Sequence, residues 1–111
     1  MGNPVVHFEI MGKDEKKLEK FYSEAFGWQM HPAMPGYSMV HAGDDAGIGG
    51  GIGKDDQPAV RFYIDVEDVE EALKKVEKLG GKVVMPPQAT PQVTFARFAD
   101  PEGNIIGLSK M

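Results

Sequence analysis

The sequence predicts an α+β fold: two tandem βαβββ modules forming a curved mixed sheet, with a concave cup on one side and the helices on the outer face. Three observations predict it. The first is an internal repeat. Shifting the chain by 54 residues without a gap aligns Val6 with Val60, Phe8 with Phe62, Ile10 with Ile64, Asp14 with Asp68, Gly27 with Gly81, Gly49 with Gly103, Ile52 with Ile106 and Gly53 with Gly107. A repeat of this kind constrains the whole fold before any single element is read. The second is that each copy opens on a run of near-alternating polarity and continues with apolar residues at three- and four-residue steps, the periods of a strand and then a helix. The third is the turn punctuation after each helix, which divides the remainder into three short strands. A sheet with a helix on one side only must bury that side and leaves the other available to a ligand.

The elements follow in order. Val5-Val6-His7-Phe8-Glu9-Ile10 is the first strand, and Leu18, Phe21, Tyr22, Ala25 and Phe26 form the stripe of the first helix. Asp14 stands where an N-cap belongs, and Gly27 stands where a left-handed C-terminal residue ends a helix. Strands are expected near 28–32, 37–42 and 47–53, with a turn at Ala33-Met34-Pro35-Gly36. The second copy opens with Ala59-Val60-Arg61-Phe62-Tyr63-Ile64. Its helix carries Val69, Ala72, Leu73, Val76 and Leu79, Asp68 and Glu71 resemble a capping box, and Gly80-Gly81 ends it. Glu70 to Lys74 and Glu71 to Lys75 are expected as i,i+4 pairs on a solvated face. Strands near 82–85, 92–98 and 104–109 complete the copy, with a turn at Asp100-Pro101-Glu102-Gly103-Asn104.

The chain has 111 residues and reads as one domain, 1–111, with module one at about 4–56 and module two at about 58–111. Its 12 Lys and Arg against 17 Asp and Glu give a net charge of −5, the wrong sign for binding nucleic acid through its phosphates. The absence of cysteine excludes disulfides, thiolate zinc sites and a cysteine nucleophile, and suits a reducing cytoplasm. No run of apolar residues is long enough for a membrane span, and the first residues do not read as an export signal.

The doubled βαβββ pattern, His7-Phe8-Glu9-Ile10, Lys20-Phe21-Tyr22 leading to Phe26-Gly27-Trp28, and Asp100-Pro101-Glu102-Gly103-Asn104 together resemble the vicinal oxygen chelate superfamily. That superfamily includes glyoxalase I, extradiol dioxygenases and bleomycin-resistance proteins, and the likeness is nearest to a short glyoxalase-related branch. In its metalloenzymes a divalent metal is held from the first and last strands of both modules. Carried over residue by residue, those positions are His7, Gly53, Arg61 and Gly107. Only His7 is a ligand type, since glycine has no donor atom and arginine is permanently cationic. The resemblance therefore implies a protein without a metal cofactor. A displaced site built on His7 and Glu9, with His41 as third ligand, is the alternative.

Strand alternation places Phe8, Ile10, Phe62 and Ile64 under the helices and His7, Glu9, Arg61, Tyr63 and Asp65 on the concave side. A histidine beside a carboxylate suits general-base chemistry near neutral pH. The same residues also suit a purely structural network in which Glu9 pairs with Arg61. His41 is expected on this side with Tyr37 and Met39, and Arg97 is a further candidate cation. His31, beside Pro32, reads as an exposed structural residue. The Gly47-Ile48-Gly49-Gly50-Gly51-Ile52-Gly53-Lys54 run does not have the spacing of a phosphate-binding loop. Gly51 and Gly53 instead widen the cup for a bulky ligand or simply serve the strand. Met30, Met34, Met39 and Met85, with Trp28, read as adaptable core filler or pocket wall.

The expected function is therefore binding of a small organic molecule in the cup, with His7, Glu9, Arg61, Tyr63 and His41 as ligand-binding residues and no metal. The alternative is an enzyme, a lyase, isomerase or dioxygenase type using His7 or Glu9 as its catalytic group. A third reading is an interaction protein with a self-filled cup. A homodimer is expected, because exposed sheet edges in so small a domain invite pairing.

Overall fold

The computed structural model describes residues 2–41 and 47–110. The element order is β1 (Val5–Gly12), α1 (Glu15–Phe26), β2 (Gln29–Met34), β3 (Tyr37–His41), β4 (Gly50–Lys54), β5 (Ala59–Asp65), α2 (Val69–Lys78), β6 (Lys82–Ala89), β7 (Thr94–Ala99) and β8 (Ile105–Lys110). The βαβββ pattern thus occurs twice, as the repeat requires. Two compact units arise from it, one of residues 7–61 and one of residues 1–6 with 62–111. β2 extends through Ala33 and Met34, where the sequence suggested a turn, and the reversal is made at Pro35 and Gly36, whose φ is 80°. The expected end of β3 at residue 42 lies outside the described residues.

In the unit of residues 7–61 the strands lie in the order β2-β3-β4-β1. β1 and β4 are parallel, with Phe8 opposite Gly50 and Met11 opposite Gly53, and the other pairs are antiparallel. Asp14 caps α1 by accepting from the Lys17 amide at 3.1 Å, and Gly27, with φ 73°, donates its amide to the Ser23 carbonyl at 2.9 Å. Both caps are where the sequence places them. The stripe of α1 behaves differently from expectation. None of its residues is buried, and Phe21 and Phe26 are 59% and 66% exposed. On the side of the sheet that Phe8 occupies, β4 offers Gly50, the fully buried Ile52 and the exposed Lys54, so a stripe of large apolar side chains has little to interdigitate with. The aromatics pack on one another instead, with Tyr22 stacked on Trp28 at 5.0 Å and Phe8 tilted against Trp28 at 5.3 Å.

In the other unit the order is β5-β8-β7-β6, with β5 and β8 parallel. α2 is capped by Asp68, which accepts from the Glu71 amide at 3.0 Å, and it buries Val69 and Leu73 against Ala96 and Leu108. Removing this apolar surface from water is the principal stabilisation of the unit. The helix stops at Lys78, followed by Gly80 at φ 101°. The surface pair formed is Lys74 with Glu71, three residues apart at 3.3 Å, in place of the expected four-residue pairs. Ile64 packs against the core cluster, whereas Phe62 is 39% exposed and Val60 76% exposed. β5 therefore departs from the expected alternation, because α2 covers the end of the strand that holds Ile64 and not the end before it.

The Asp100–Asn104 turn explains its own sequence. The Asp100 carboxylate accepts from the amides of Glu102 and Asn104 and from the Asn104 side chain, each at 2.9 Å, while Gly103 takes a φ of 92°. These bonds, led by the Asn104 side chain, hold the Asp100 carboxyl below the usual carboxylate range. Asp100→Ala is expected to lower the melting temperature at pH 7. The difference from wild type should narrow as the pH falls through the carboxylate range, because protonation removes the same acceptor. A melting series from pH 7 to pH 2 checks this.

Candidate functional site: a buried polar network on β1, β3 and β5

His7 and Glu9 are two residues apart on β1 and share one side of the strand, opposite Phe8. Across β4 from them, Tyr37 begins β3 opposite Gly53. Its ring lies over the backbone of Gly53 and Gly51. A Cβ at Gly53 would come within 2.6 Å of the ring, and one at Gly51 would overlap the phenolic oxygen. The hydroxyl reaches β1, where it lies 3.0 Å from His7 Nε2 and donates to Glu9 Oε2 at 3.2 Å. A phenol has one proton, so with that proton on Glu9 the His7 contact is an Nε2–H donating to the phenolic oxygen.

Arg61 on β5 completes the group by donating from Nη1 to Glu9 Oε1 at 2.5 Å. The two side chains of this ion pair are 8% and 7% exposed. Taking both charges out of water is costly, and their mutual attraction with the added phenol bond offsets that cost. Arg61 Nε is buried with no hydrogen-bond partner among the described residues. The structural pairing of Glu9 with Arg61, one of the two sequence readings, is thus present.

Burial lowers the His7 pKa from its ordinary value of 6.5, with nearby Glu9 opposing the shift. The folded state disfavours the imidazolium, so the stability associated with neutral His7 is present above pH 6.5 and is lost as the pH falls through the lower folded value. His7→Gln is expected to flatten the fall in stability below pH 6.5, which urea denaturation at a series of pH values would measure.

Of the other residues expected on this side, Tyr63 and Asp65 belong to the other unit and His41 is exposed. Tyr63 lies in the unit of residues 1–6 and 62–111. It is 5% exposed, its ring lies over Gly107, and its hydroxyl accepts from Arg97 Nε at 3.2 Å. Asp65 is in the same unit, half-buried, and binds the N-terminal segment through its backbone. His41 is exposed at the end of β3, opposite Gln29. Tyr37 is the residue that sequence reasoning passed over as a site residue. Its signal was the pair of alternating glycines on the neighbouring strand. Those glycines receive this ring, so the space they leave is filled by the protein itself.

Of the four positions carried over from the family's divalent-metal site, His7, Gly53, Arg61 and Gly107, one has a ligand side chain. His7 Nε2 and the Glu9 carboxylate are engaged by Tyr37 and Arg61, the guanidinium is a fixed cation, and tyrosine rings cover Gly53 and Gly107. Among the described residues no three His, Asp or Glu side chains come together in a way that could hold a metal ion. Two surface clefts lie elsewhere. One of about 410 Å³ opens between the first turn of α1 and the β2–β3 hairpin, beside Glu15, Glu19 and Met34, and one of about 540 Å³ runs along α2. His7, Glu9 and Arg61 line neither.

Residues 5–108 match the family model described as the Glyoxalase/Bleomycin resistance protein/Dioxygenase superfamily. The chain belongs to this superfamily. The glyoxalase-superfamily chain is 31% identical to a glyoxylase-like domain-containing protein of Didymella fabae, over 86% of its own length and 84% of the relative's. Among solved structures it is similar to a hypothetical protein from Bacillus halodurans, with a TM-score of 0.74 at 13% identity over 100% of this chain and 96% of that one. It is also similar to a glyoxalase/bleomycin resistance protein/dioxygenase superfamily member from Vibrio splendidus, with a TM-score of 0.67 at 17% identity over 98% and 99% of the two chains. These likenesses establish the fold of this glyoxalase-superfamily chain, while its chemistry rests on its own residues.

Proposed function

We propose that this glyoxalase-superfamily protein binds a small organic molecule on the face that carries His7, Glu9, Tyr37 and Arg61, without a metal. The observation that carries this reading is the completed network. Glu9 and Arg61 neutralise each other, and burial favours the uncharged form of His7, so the face offers oriented hydrogen-bonding groups and no net charge. Such a face recognises polar groups on an otherwise apolar ligand, the usual division of labour in small-molecule sites. Thermal melting of the metal-free protein with a panel of aromatic compounds, quinones and oxidised metabolites is the test. A ligand at a hundred times its Kd adds about 2.7 kcal/mol of stability. A panel that leaves the melting temperature unmoved overturns the reading, and stabilisation by nickel, zinc, iron or manganese overturns its metal-free part.

A second reading, a metal-free lyase or isomerase with His7 as general base, is favoured by one observation. Tyr37 holds the His7 ring at Nε2, and burial favours the neutral imidazole, the form that a general base needs. In this case His7→Ala abolishes turnover of the stabilising compound while the fold is kept. We further propose that the protein acts in the cytoplasm and as a homodimer. Support for pairing comes from exposed apolar side chains such as Phe21, Phe26, Val60 and Leu79, each at least 59% exposed. Sedimentation at micromolar concentration distinguishes dimer from monomer.

A further inference from the structure

We infer that the β2–β3 hairpin carries a copper(I) site made of His31, Met39 and His41, apart from the network of His7, Glu9, Tyr37 and Arg61. The small-molecule reading above uses none of the three residues and does not depend on this site. The register brings them together. β2 and β3 are antiparallel, with His31 directly opposite Met39 and Gln29 opposite His41. Met39 and His41 are two residues apart on β3 and share one side of the strand, and His31 shares that side with the residue it faces. Burial marks the two sides. Ser38 and Val40 are buried, and Met30, opposite Val40, is half-buried, whereas His31 and His41 are exposed and Met39 is 42% exposed. Directly opposite residues have Cβ atoms about 4.5–5.5 Å apart and diagonal ones about 7–8 Å. His31 and Met39 are a pair of the first kind, His31 and His41 a pair of the second. Metal–imidazole bonds of about 2.0–2.1 Å fit between side chains spaced in this way.

The surroundings leave the three donors accessible. On β4, Gly51 faces Met39, and the Tyr37 hydroxyl lies over that glycine. The thioether is therefore flanked by Tyr37 toward β4 and by His31 toward β2. β2 is the outer strand of its unit's sheet, so an ion reaches the donors from solvent. None of the three takes part in the hydrogen bonds that join His7, Glu9, Tyr37 and Arg61. The donor set selects the ion. Two imidazoles and a thioether coordinate as neutral groups, and the soft, polarizable thioether prefers copper(I) to harder divalent ions. The set contains no carboxylate or thiolate to offset a second positive charge, which disfavours zinc(II). Methionine is its third donor, so it differs in kind from a group built of His, Asp and Glu alone.

The test is anaerobic titration of the metal-free protein with copper(I) held by bicinchoninate, a chromophoric competitor. Wild type is expected to withdraw one copper(I) per chain. His31→Ala, Met39→Leu and His41→Ala are each expected to bind it at least about tenfold more weakly, having lost one donor of three. The replaced side chains are exposed, so circular dichroism of the metal-free variants should match wild type. X-ray absorption of the loaded wild type should show a copper–sulfur path that Met39→Leu removes. Met34 is 60% exposed and lines the cleft beside α1, and Met34→Leu should bind copper(I) as wild type does. Failure of wild type to withdraw copper from the competitor overturns the inference, as does a copper–sulfur path that survives in Met39→Leu. Loss of binding in His7→Gln but not in His31→Ala also overturns it, because the ion is then held by the buried network. Zinc(II) bound as tightly as copper(I) overturns the choice of ion. The panel of organic compounds decides the small-molecule reading separately, so either proposal can fail without the other.

Discussion

Arg61→Ala should cost about 3–5 kcal/mol of stability, the usual penalty for leaving one member of a buried ion pair without the other. Glu9 is 5% exposed and would lose its guanidinium partner. The loss should come mostly from the stranded carboxylate rather than from the missing side chain, and the two sources are separable. Adding Glu9→Gln to Arg61→Ala removes the charge and should recover more than half of the lost stability. Replacing both residues with apolar ones of similar volume should recover most of it. Urea denaturation of the single and double variants at pH 7 supplies the cycle. Full additivity of the two single-variant losses would mean that Glu9 and Arg61 do not depend on each other.

Gly51→Ala should be the most damaging single-methyl addition on β4. The new Cβ would overlap the Tyr37 hydroxyl, which is hydrogen-bonded at His7 and Glu9. Overpacking of this kind costs about 1–3 kcal/mol. The displaced phenol would also give up its two hydrogen bonds, each worth about 0.5–1.5 kcal/mol net. Gly2→Ala, where nothing lies within 4 Å, serves as the control and should be neutral. The decisive comparison is Gly51→Ala in the Tyr37→Ala background, where the added methyl should cost nothing or restore a little packing. Thermal melts of the four proteins measure it. A methyl that costs the same in both backgrounds would show that Gly51 answers to the backbone and not to Tyr37.

Much of the fold was legible because its signals are local. Asp14, Gly27 and Asp68 act at helix ends through hydrogen bonds to residues a turn away, and the shift of 54 carries Asp14 onto Asp68, whereas the left-handed glycine after α2 is Gly80 and not Gly81. His7 and Glu9 were legible as neighbours because a strand puts residues two apart on one side. The pairing of Glu9 with Arg61 was open in the sequence, since the partner lies 52 residues away. Tyr37 was harder. It was assigned to the correct side of β3, but a ring lying over glycines on the next strand requires the β3–β4 register, which no local pattern supplies. The exposed stripe of α1 was misread for a related reason. Periodicity reports that a helix has an apolar side, not whether the sheet beneath it has side chains large enough to meet that side.

The division into units also affects the order of assembly during synthesis. Residues 1–6 belong with residues 62–111, although the whole of the other unit is made between them. The Asn3 side chain donates to the Asp65 carbonyl and the Pro4 carbonyl accepts from the Asp65 amide, contacts across a separation of up to 62 residues. On a ribosome residues 1–6 emerge before their partners and must wait, while 7–61 has all of its own contacts available before Asp65 has left the exit tunnel. Residues 1–6 are therefore among the last to find their place. Slowing elongation across the 7–61 stretch should lengthen the time for which the N-terminal strand is open to cleavage by a protease.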